Sequence, residues 1–349
     1  MHAVFITPGF ARDEQDTVTI PPLSALTRSL SKQGVHISII TLDYPFEEEK
    51  YTWHGVTVYA CGGKNHRFPA KIFTVQKALT LFKKIQEEKS VQLIHSFWWQ
   101  ETAVIGYLLS KYFSIAHLTT LMGQDVLSTN KYAKWFSAKH KSVVALSDFH
   151  SKYFEKTFHR KPDQVIPWGI DVTDFPLHEK QQKTIDILGA GWLNRVKNFS
   201  DFIDVVNIVC QKYPHIKCVI AGDGEHRQEL EEKISQLNLQ NNIAIMGMLS
   251  RKETLDLMMR SKVFLHTSTF ESFGYVFSEA IQAGASIVSY EVGIANNMNA
   301  LIGNSIEELA QHVCTTLECP TNLSLKASVW TTQQTAEAYM ELYRKLIPR

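Results

Sequence analysis

The chain of 349 residues lacks several features that would place it in a specialised class of proteins. Its five cysteines, an odd number, include no Cys-x-x-Cys pair and no zinc-ligand spacing, which predicts reduced thiols. The 36 basic and 35 acidic side chains leave a net charge of +1, which argues against a nucleic-acid partner. No apolar run approaches the length of a membrane span, and no cleavable leader precedes the first strand pattern at Ala3. These absences predict a cytoplasmic protein.

What is present describes an ordinary globular protein. Apolar residues make up 44% of the chain and charged residues 20%. A chain of this length is long for one hydrophobic core and natural for two domains. The sequence contains no repeat of fixed period and no low-complexity tract.

One stretch carries the strongest pattern in the chain, a predicted strand–helix–strand unit. Val263–His266 forms an apolar strand, and a polar loop with Gly274 follows it. A helix is predicted from Tyr275 to about Ala283, where Gly284 ends it, and the second strand covers Ser286–Tyr290. The loop therefore lies at the carboxyl end of a parallel strand, the edge where open α/β sheets bind ligands.

Two carboxylates lie eight residues apart in this unit, Glu271 before the helix and Glu279 on it. A fully helical stretch would separate them by about 12 Å, enough to reach both ends of a nucleotide-sugar. Between them, the amides of Phe273, Gly274 and Tyr275 form a helix N-terminus, which favours phosphate. The alternative interpretation is a surface loop with one capping acid and one solvated glutamate.

The segment from Glu271 to Ala280, followed by Gly284, resembles the Glu-x7-Glu signature of retaining nucleotide-sugar glycosyltransferases. This group 1 family includes the glycogen and sucrose synthases. The resemblance implies the α/β fold called GT-B, in which two Rossmann-like, doubly wound parallel-sheet domains face each other across a cleft. It also implies a nucleotide-diphosphate sugar as donor substrate and no cofactor. The loop Ser272–Tyr275 would then bind the donor.

The start of the predicted second domain carries a second match. After the strand Ile185–Leu188, a G-x-G pattern at Gly189 and Gly191 lacks the third glycine of a dinucleotide fingerprint. The family's alternative is a Gly-Arg-Leu-x-x-x-Lys loop that binds the donor diphosphate, with Lys197 at the lysine position. Trp192 occupies the arginine position, and we hypothesise that Arg195 replaces it, because a guanidinium suits bidentate phosphate contact. The alternative is that both cations are solvated.

Three further segments match the family in order along the chain. Gly222-Asp-Gly224 resembles its Gly-Asp-Gly turn, and Gly247 with Met248 occupies the turn where relatives hold the nucleobase through backbone groups. Val165–Asp171 resembles the segment that leads into the interdomain hinge. The chain has no Asp-x-Asp pair, the metal–diphosphate ligand of the other glycosyltransferase fold, so we predict no metal site.

The predicted first domain departs from the family pattern. Gly9 follows the first strand in a loop that commonly faces donor phosphates or acceptor, although a simple turn explains a lone glycine equally well. His95, at a strand's carboxyl end, is either catalytic or a hydrogen-bonded core residue, and Phe97 stands where relatives often carry a second histidine. Asp125 either binds an acceptor or caps a helix. Relatives have a histidine at Met122.

The resemblance sets the predicted organisation. Residues 1–166 form the acceptor-binding domain, 167–184 a hinge, 185–329 the nucleotide-sugar-binding domain, and 330–349 a final helix that packs back on the first domain. The basic amphipathic helix Pro69–Ile85 is either an ordinary surface helix or a contact to the inner face of the membrane.

The predicted function is retaining transfer of a sugar to a hydroxyl of a glycan, lipid or small molecule. Glu271 would position the donor sugar, Glu279 the ribose, and Lys197 with the Phe273–Tyr275 amides the leaving diphosphate. Two alternatives stay open. One is a GT-B protein that binds without transferring, and the other is a nicotinamide-dependent oxidoreductase with Asp223 as its ribose-binding acid.

Overall fold

A computed structural model describes residues 1–66, 69–132, 142–175, 182–319 and 328–347. The chain divides into two compact units, the first made of residues 1–169 with 331–349 and the second of residues 170–330. Of the predicted hinge 167–184, residues 176–181 lie outside the described part of the chain, as do residues 348–349 of the predicted final helix.

The first unit is built on an eight-stranded sheet in the order β3-β4-β2-β1-β5-β6-β7-β8. All neighbours are parallel except β3 and β4, which form a hairpin. Apolar strand interiors are buried throughout the central strands, as expected for a parallel sheet covered on both faces. The strands are β1 (His2–Gly9), β2 (His36–Tyr44), β3 (Glu49–Trp53), β4 (Val56–Ala60), β5 (Leu93–Phe97), β6 (Ala116–Thr120), β7 (Val143–Ala145) and β8 (Gln164–Val165).

Three helices of the first unit begin where the sequence supplies an N-terminal signal. Pro21 occupies the first turn of its helix, and Ser147 caps another helix by accepting a hydrogen bond from the His150 N–H. A capping box of Thr331 and Gln334 starts the last helix, which packs against the first. The helices are α1 (Pro21–Lys32), α2 (Lys71–Glu88), α3 (Glu101–Phe113), α4 (Asp148–Phe158) and α10 (Thr332–Leu346).

The second unit is built on a parallel six-stranded sheet in the order β11-β10-β9-β12-β13-β14. Its strands are β9 (Ile185–Ala190), β10 (Cys218–Ala221), β11 (Ile243–Ile245), β12 (Ser261–His266), β13 (Ser286–Ser289) and β14 (Leu301–Ile302). Its helices are α5 (Phe199–Lys212), α6 (Arg227–Gln236), α7 (Arg251–Met259), α8 (Tyr275–Gln282) and α9 (Ile306–Glu318).

The predicted strand–helix–strand unit is confirmed as β12, α8 and β13. Gly284 adopts the left-handed conformation expected after the helix, with φ of +70°. The helical spacing predicts Val276, Ala280 and Ala283 on the buried face of α8. In the structure Phe277, Ala280 and Ile281 are buried, while Val276 and Ala283 are only partly buried. The neighbouring helix α7 and strand β13 determine which side of α8 is buried. The periodicity of the sequence alone does not identify that side.

Cys61, Cys210, Cys218 and Cys314 are free thiols. In the described part of the chain, no helix has the length and apolarity of a membrane span.

Candidate functional site

Four loops of the second unit leave neighbouring strands at the same edge of its sheet. They follow β9, β10, β11 and β12, which lie side by side in the sheet order. Because these strands are parallel, their carboxyl ends meet at one edge, where α/β sheets bind ligands. Most of the donor-site residues predicted from the sequence lie on these loops or on the helix that follows the last of them.

Close backbone contacts fix the first three loops relative to one another. The Gly191 N–H donates to the Ala221 carbonyl, and the Gly222 N–H donates to the Gly247 carbonyl, both at 3.0 Å. A Cβ atom on Gly222, whose φ is +153°, would lie 1.9 Å from the Gly191 carbonyl oxygen. Glycine is therefore required at this crossing of two loops, which explains the Gly-Asp-Gly turn physically.

Lys197 is positioned by the loop that follows β9. The side-chain oxygen of Asn194 accepts the N–H groups of Val196 and Lys197, each at 3.0 Å, and so closes a tight turn. The Thr269 N–H donates to the Val196 carbonyl at 2.9 Å, which ties this turn to the loop after β12. These two contacts place the Lys197 side chain next to Glu271, although the two residues are far apart in the sequence.

Glu271 binds a cation and an imidazole at once. Its Oε1 atom pairs with the Lys197 ammonium and lies 3.0 Å from Nε2 of the buried His266 at the end of β12. Burial alone would raise the pKa of Glu271, yet Lys197 and His266 hold it well below its ordinary value. Burial lowers the pKa of His266, so its neutral ring donates to the carboxylate. Glu271 is therefore ionised and oriented before any ligand arrives.

The loop between Glu271 and α8 presents the helix N-terminus. Gly274 precedes α8 with φ of +80°, and a Cβ there would lie 2.5 Å from the Phe277 ring. The Phe273 carbonyl accepts the Ile294 N–H at 2.9 Å, which holds the loop against the segment after β13. The positive end of the α8 dipole lies at Tyr275, and this end of a helix favours an anion.

Glu279 is not a solvated surface residue, as one alternative allowed. It is 5% exposed and forms an ion pair with Arg251, the first residue of α7. Arg251 also pairs with Asp174 at 3.3 Å and lies 5.5 Å from the centre of the Tyr275 ring. Burial raises the pKa of Glu279, and Arg251 opposes that rise. Both signature glutamates therefore face a cation.

The remaining predicted donor residues are not all brought together. Arg195 is exposed and lines a separate surface pocket of about 300 Å³ with Asn198, His226 and Glu229, whereas Lys197 contacts Glu271. The structure thus does not support Arg195 as the replacement for the arginine absent at Trp192, which itself donates to Glu225.

The nucleobase turn predicted at Gly247 and Met248 is accessible. Gly247 has φ of +75° and bridges to Gly222, while the Met248 side chain is 57% exposed. This turn adjoins Ser250 and the start of α7, so it lies directly before Arg251 in the chain. Gly191 packs its α-carbon against the Lys197 stem, since a Cβ there would lie 3.4 Å from that side chain.

His95 is a core residue of the first unit, and its assignment as catalytic is corrected. Its ring is fully buried, with Nδ1 2.7 Å from the Tyr343 hydroxyl and Nε2 2.8 Å from the Thr120 hydroxyl. Burial lowers its pKa well below the ordinary value. Both nitrogens are used within the core, so the hydrogen-bonded core residue is the correct alternative.

Asp125 is a capping residue of a backbone turn. Its carboxylate accepts the N–H groups of Trp99 and Gly123, both at 2.7 Å, and of Met122 at 3.1 Å. The buried His150 lies beside it, with Nε2 3.0 Å from the Gly123 carbonyl. Asp125 is 2% exposed, so its assignment to an acceptor site is corrected in favour of the cap.

Gly9 lies at the end of β1 and not in the loop that follows it. It is the last residue of β1, where it pairs with Tyr44 of β2 after a shift in register. A Cβ on Gly9 would lie 3.3 Å from the Tyr44 Cβ, so the glycine permits close approach of two strands. The loop prediction failed because the strand continues through Pro8.

Two residues of the site were missed by sequence reasoning. His266 looked like the last residue of an apolar strand, and Arg251 stood among surface charges. Ser250 and Glu253 form a capping box that marks the start of α7, a signal available in the sequence. No group of three or more potential metal-ligating side chains is found within the described ranges.

Comparisons with known proteins match the second unit to a family model and the longer chain to curated relatives. Residues 173–320 match the family model for "Glycosyl transferases group 1". A human subunit of phosphatidylinositol N-acetylglucosaminyltransferase is 22% identical over 350 residues, covering 92% of this chain and 72% of that protein. The gpi3 subunit of the same transferase from Schizosaccharomyces pombe is 29% identical over 291 residues, covering 77% of this chain and 61% of that protein.

Two solved structures share the fold across almost the whole chain. "Sucrose-phosphate synthase" from Thermosynechococcus elongatus superposes with a TM-score of 0.81 at 17% identity, covering 99% of both chains. Anabaena HepE "in complex with UDP and glucose" superposes with a TM-score of 0.69 at 18% identity, covering 99% of this chain and 95% of that one. These likenesses establish the architecture of the chain.

Proposed function

We propose, on the premise that this chain is a group 1 glycosyltransferase with the GT-B fold, that it transfers a sugar with retention from a nucleoside-diphosphate sugar to a hydroxyl group. One observation carries the proposal. Glu271 and Glu279 are each largely buried and each paired with a cation, on either side of a helix N-terminus. A site with two ionised acids and positive charge between them suits a ligand that has hydroxyls at both ends and a diphosphate in the middle.

Each group has a role fixed by its chemistry. Glu271 accepts hydrogen bonds from the hydroxyls of the donor sugar, and Glu279 accepts those of the ribose. Lys197 and the amides of residues 273–275 neutralise the diphosphate as its charge develops. The backbone of Gly247 and Met248 contacts the base. No metal ion is needed for this charge balance, since the lysine and the helix N-terminus supply the positive potential.

The reaction we propose proceeds on one face of the sugar. The acceptor oxygen bonds to the anomeric carbon on the side from which the phosphate oxygen departs, and the departing phosphate takes the acceptor's proton. Glu271, whose pKa lies well below its ordinary value, is too weak a base to take that proton. It therefore acts as a positioning group for the sugar, and retention follows without a covalent enzyme intermediate.

We propose UDP as the carrier and a lipid-linked or other hydroxyl-bearing molecule as acceptor. The Anabaena relative was solved with UDP and glucose, and the human relative belongs to a phosphatidylinositol N-acetylglucosaminyltransferase. A lipid-linked acceptor fits a cytoplasmic protein that touches the inner face of the membrane. The human relative is named as a subunit, so we also propose that this chain assembles with partner proteins.

The membrane contact we propose is the start of α2. Ile72 and Phe73 are exposed there, Phe73 by 73%, and Lys83 and Lys84 are exposed further along the helix. Sedimentation with vesicles of phosphatidylcholine and phosphatidylserine tests it. We expect Phe73→Asp to weaken binding severalfold and Thr80→Asp, an equally charged change on the same helix, to weaken it less. Equal loss for the two variants would refute an apolar anchor at Phe73.

The activity is tested by incubating purified protein with UDP-sugars and candidate hydroxyl acceptors and following UDP release. We expect Glu271→Ala to lower turnover by at least a hundredfold, while Glu232→Ala, on exposed α6, leaves it unchanged. Proton NMR of the product gives its anomeric configuration, which must equal that of the donor. Full turnover by Glu271→Ala, or an inverted product, contradicts the proposal. Donor binding without any transfer identifies the non-transferring alternative.

A further inference from the structure

Arg251 is one of the two residues of the site, with His266, that neither the motif nor the sequence patterns assign. It begins α7, directly after the turn proposed to contact the nucleobase. Its guanidinium contacts three groups, the carboxylates of Glu279 and Asp174 and the ring face of Tyr275. Only 12% of its side chain is exposed, against 6% for Glu279, so the pair is shielded from solvent.

We infer that Arg251 is a positioning residue for the donor, which keeps the Glu279 carboxylate ionised and aimed for the ribose hydroxyls. This inference rests on the proposed function, because it assigns a partner to the acid that binds the nucleoside. The physical need for such a partner is plain. A carboxylate accepts from two hydroxyls only when it is ionised, and burial in a low dielectric favours the protonated form.

Among the charged groups around Glu279, Arg251 is the cation that favours the ionised carboxylate. Asp174 faces the same guanidinium and opposes ionisation of Glu279, and Tyr275 on the same helix is neutral because burial raises its pKa. Lys183 donates to the Ala283 carbonyl at the far end of α8, where it caps the helix. Removal of Arg251 would therefore leave Glu279 buried beside a second carboxylate, and its pKa would rise further.

One nitrogen of the guanidinium is not used by the protein. Nη2 of Arg251 is buried and has no hydrogen-bond partner among the residues that the structure describes. A structural ion pair normally satisfies its buried N–H groups, since leaving one unpaired costs about 1–3 kcal/mol. The free donor fits a guanidinium that also has to serve a bound ligand.

The first experiment measures the protonation of Glu279 without any ligand. Protein labelled with 13C at the glutamate carboxyl carbon is titrated by NMR, and the Glu279 signal is identified by its loss in Glu279→Gln. We expect the Glu279 midpoint to move to higher pH in Arg251→Met and to return towards the wild-type value in Arg251→Lys. Arg260→Met, at the end of the same helix and paired with Asp256, should leave the midpoint unchanged.

The second experiment measures the affinity for UDP by calorimetry between pH 5.5 and 8.5. In Arg251→Met we expect affinity to fall by about tenfold per pH unit below the new Glu279 midpoint, whereas the wild-type profile stays flatter. The double variant Arg251→Met/Glu279→Gln should lose this extra pH dependence, because its side chain at 279 no longer titrates. A purely structural arginine would lower affinity equally at every pH.

The outcomes separate the inference from the proposed function. An unchanged Glu279 midpoint in Arg251→Met overturns the inference, and so do parallel pH profiles of affinity for the wild type and Arg251→Met. A shifted midpoint together with no binding of UDP, GDP or ADP at millimolar concentration supports the role of Arg251 towards Glu279 but contradicts the nucleotide site itself.

Discussion

Replacement of Lys197 by methionine tests the electrostatics of the site most sharply. The Glu271 side chain is 14% exposed and that of Lys197 23%, so the change leaves a largely buried carboxylate without its cation. Breaking a fully buried pair from one side costs about 3–5 kcal/mol, and partial exposure of both groups reduces our expectation to about 2–3 kcal/mol at pH 7.

The pH dependence of that loss has a defined sign. The pKa of Glu271 in the folded protein lies well below its ordinary value, so its ionised form stabilises the fold above the unfolded pKa of about 4.3. That contribution is lost as pH falls below this value towards the folded pKa. The stability difference between wild type and Lys197→Met should therefore be largest near pH 7 and shrink as the medium is acidified below about pH 4.

Differential scanning calorimetry measures the effect as a fall in melting temperature of the second unit. At about 2–4 °C per kcal/mol for a unit of this size, we expect a decrease of roughly 4–12 °C. The double variant Lys197→Met/Glu271→Gln should recover most of the loss, because the buried charge is gone. An unchanged melting temperature in Lys197→Met, or a double variant less stable than the single one, would refute this reasoning.

Three further substitutions test individual contacts. Gly274→Ala should cost about 1–3 kcal/mol and weaken nucleotide binding in calorimetry, since alanine meets Phe277 at a positive φ; unimpaired binding would contradict the assigned loop. Asp125→Ala removes the acceptor of three backbone N–H groups, so the unfolding free energy should fall by about 2–4 kcal/mol while UDP affinity is retained. His95→Phe should lower the melting temperature without abolishing transfer; a stable but inactive variant would restore His95 to catalysis.

Local sequence predicted the fold of the second unit well, because its signals are short in range. The apolar run before Thr267, the glycine at 284 and the spacing of Glu271 and Glu279 lie within one strand–helix–strand unit. The assignment of Lys197 depended on the family motif. Its contact with Glu271 spans 74 residues and exists only because β9 and β12 are neighbours in the sheet.

The predictions that failed depended on contacts between distant segments. The ring of His95 is held by Tyr343, 248 residues away on α10, so no local pattern distinguishes a core histidine from a catalytic one. Arg195 and Arg251 are both cations near donor-site turns in the sequence. Only the packing of α7 against α8 gives Arg251 the glutamate as partner.

The most direct test of the central claim is a crystal structure of the protein with UDP and, separately, with a UDP-sugar. We predict a diphosphate against Lys197 and the amides of residues 273–275, ribose hydroxyls on Glu279, and sugar hydroxyls on Glu271. Nucleotide bound elsewhere, for example in the pocket of Arg195 and His226, with the Lys197–Glu271 and Arg251–Glu279 pairs undisturbed, would contradict the account.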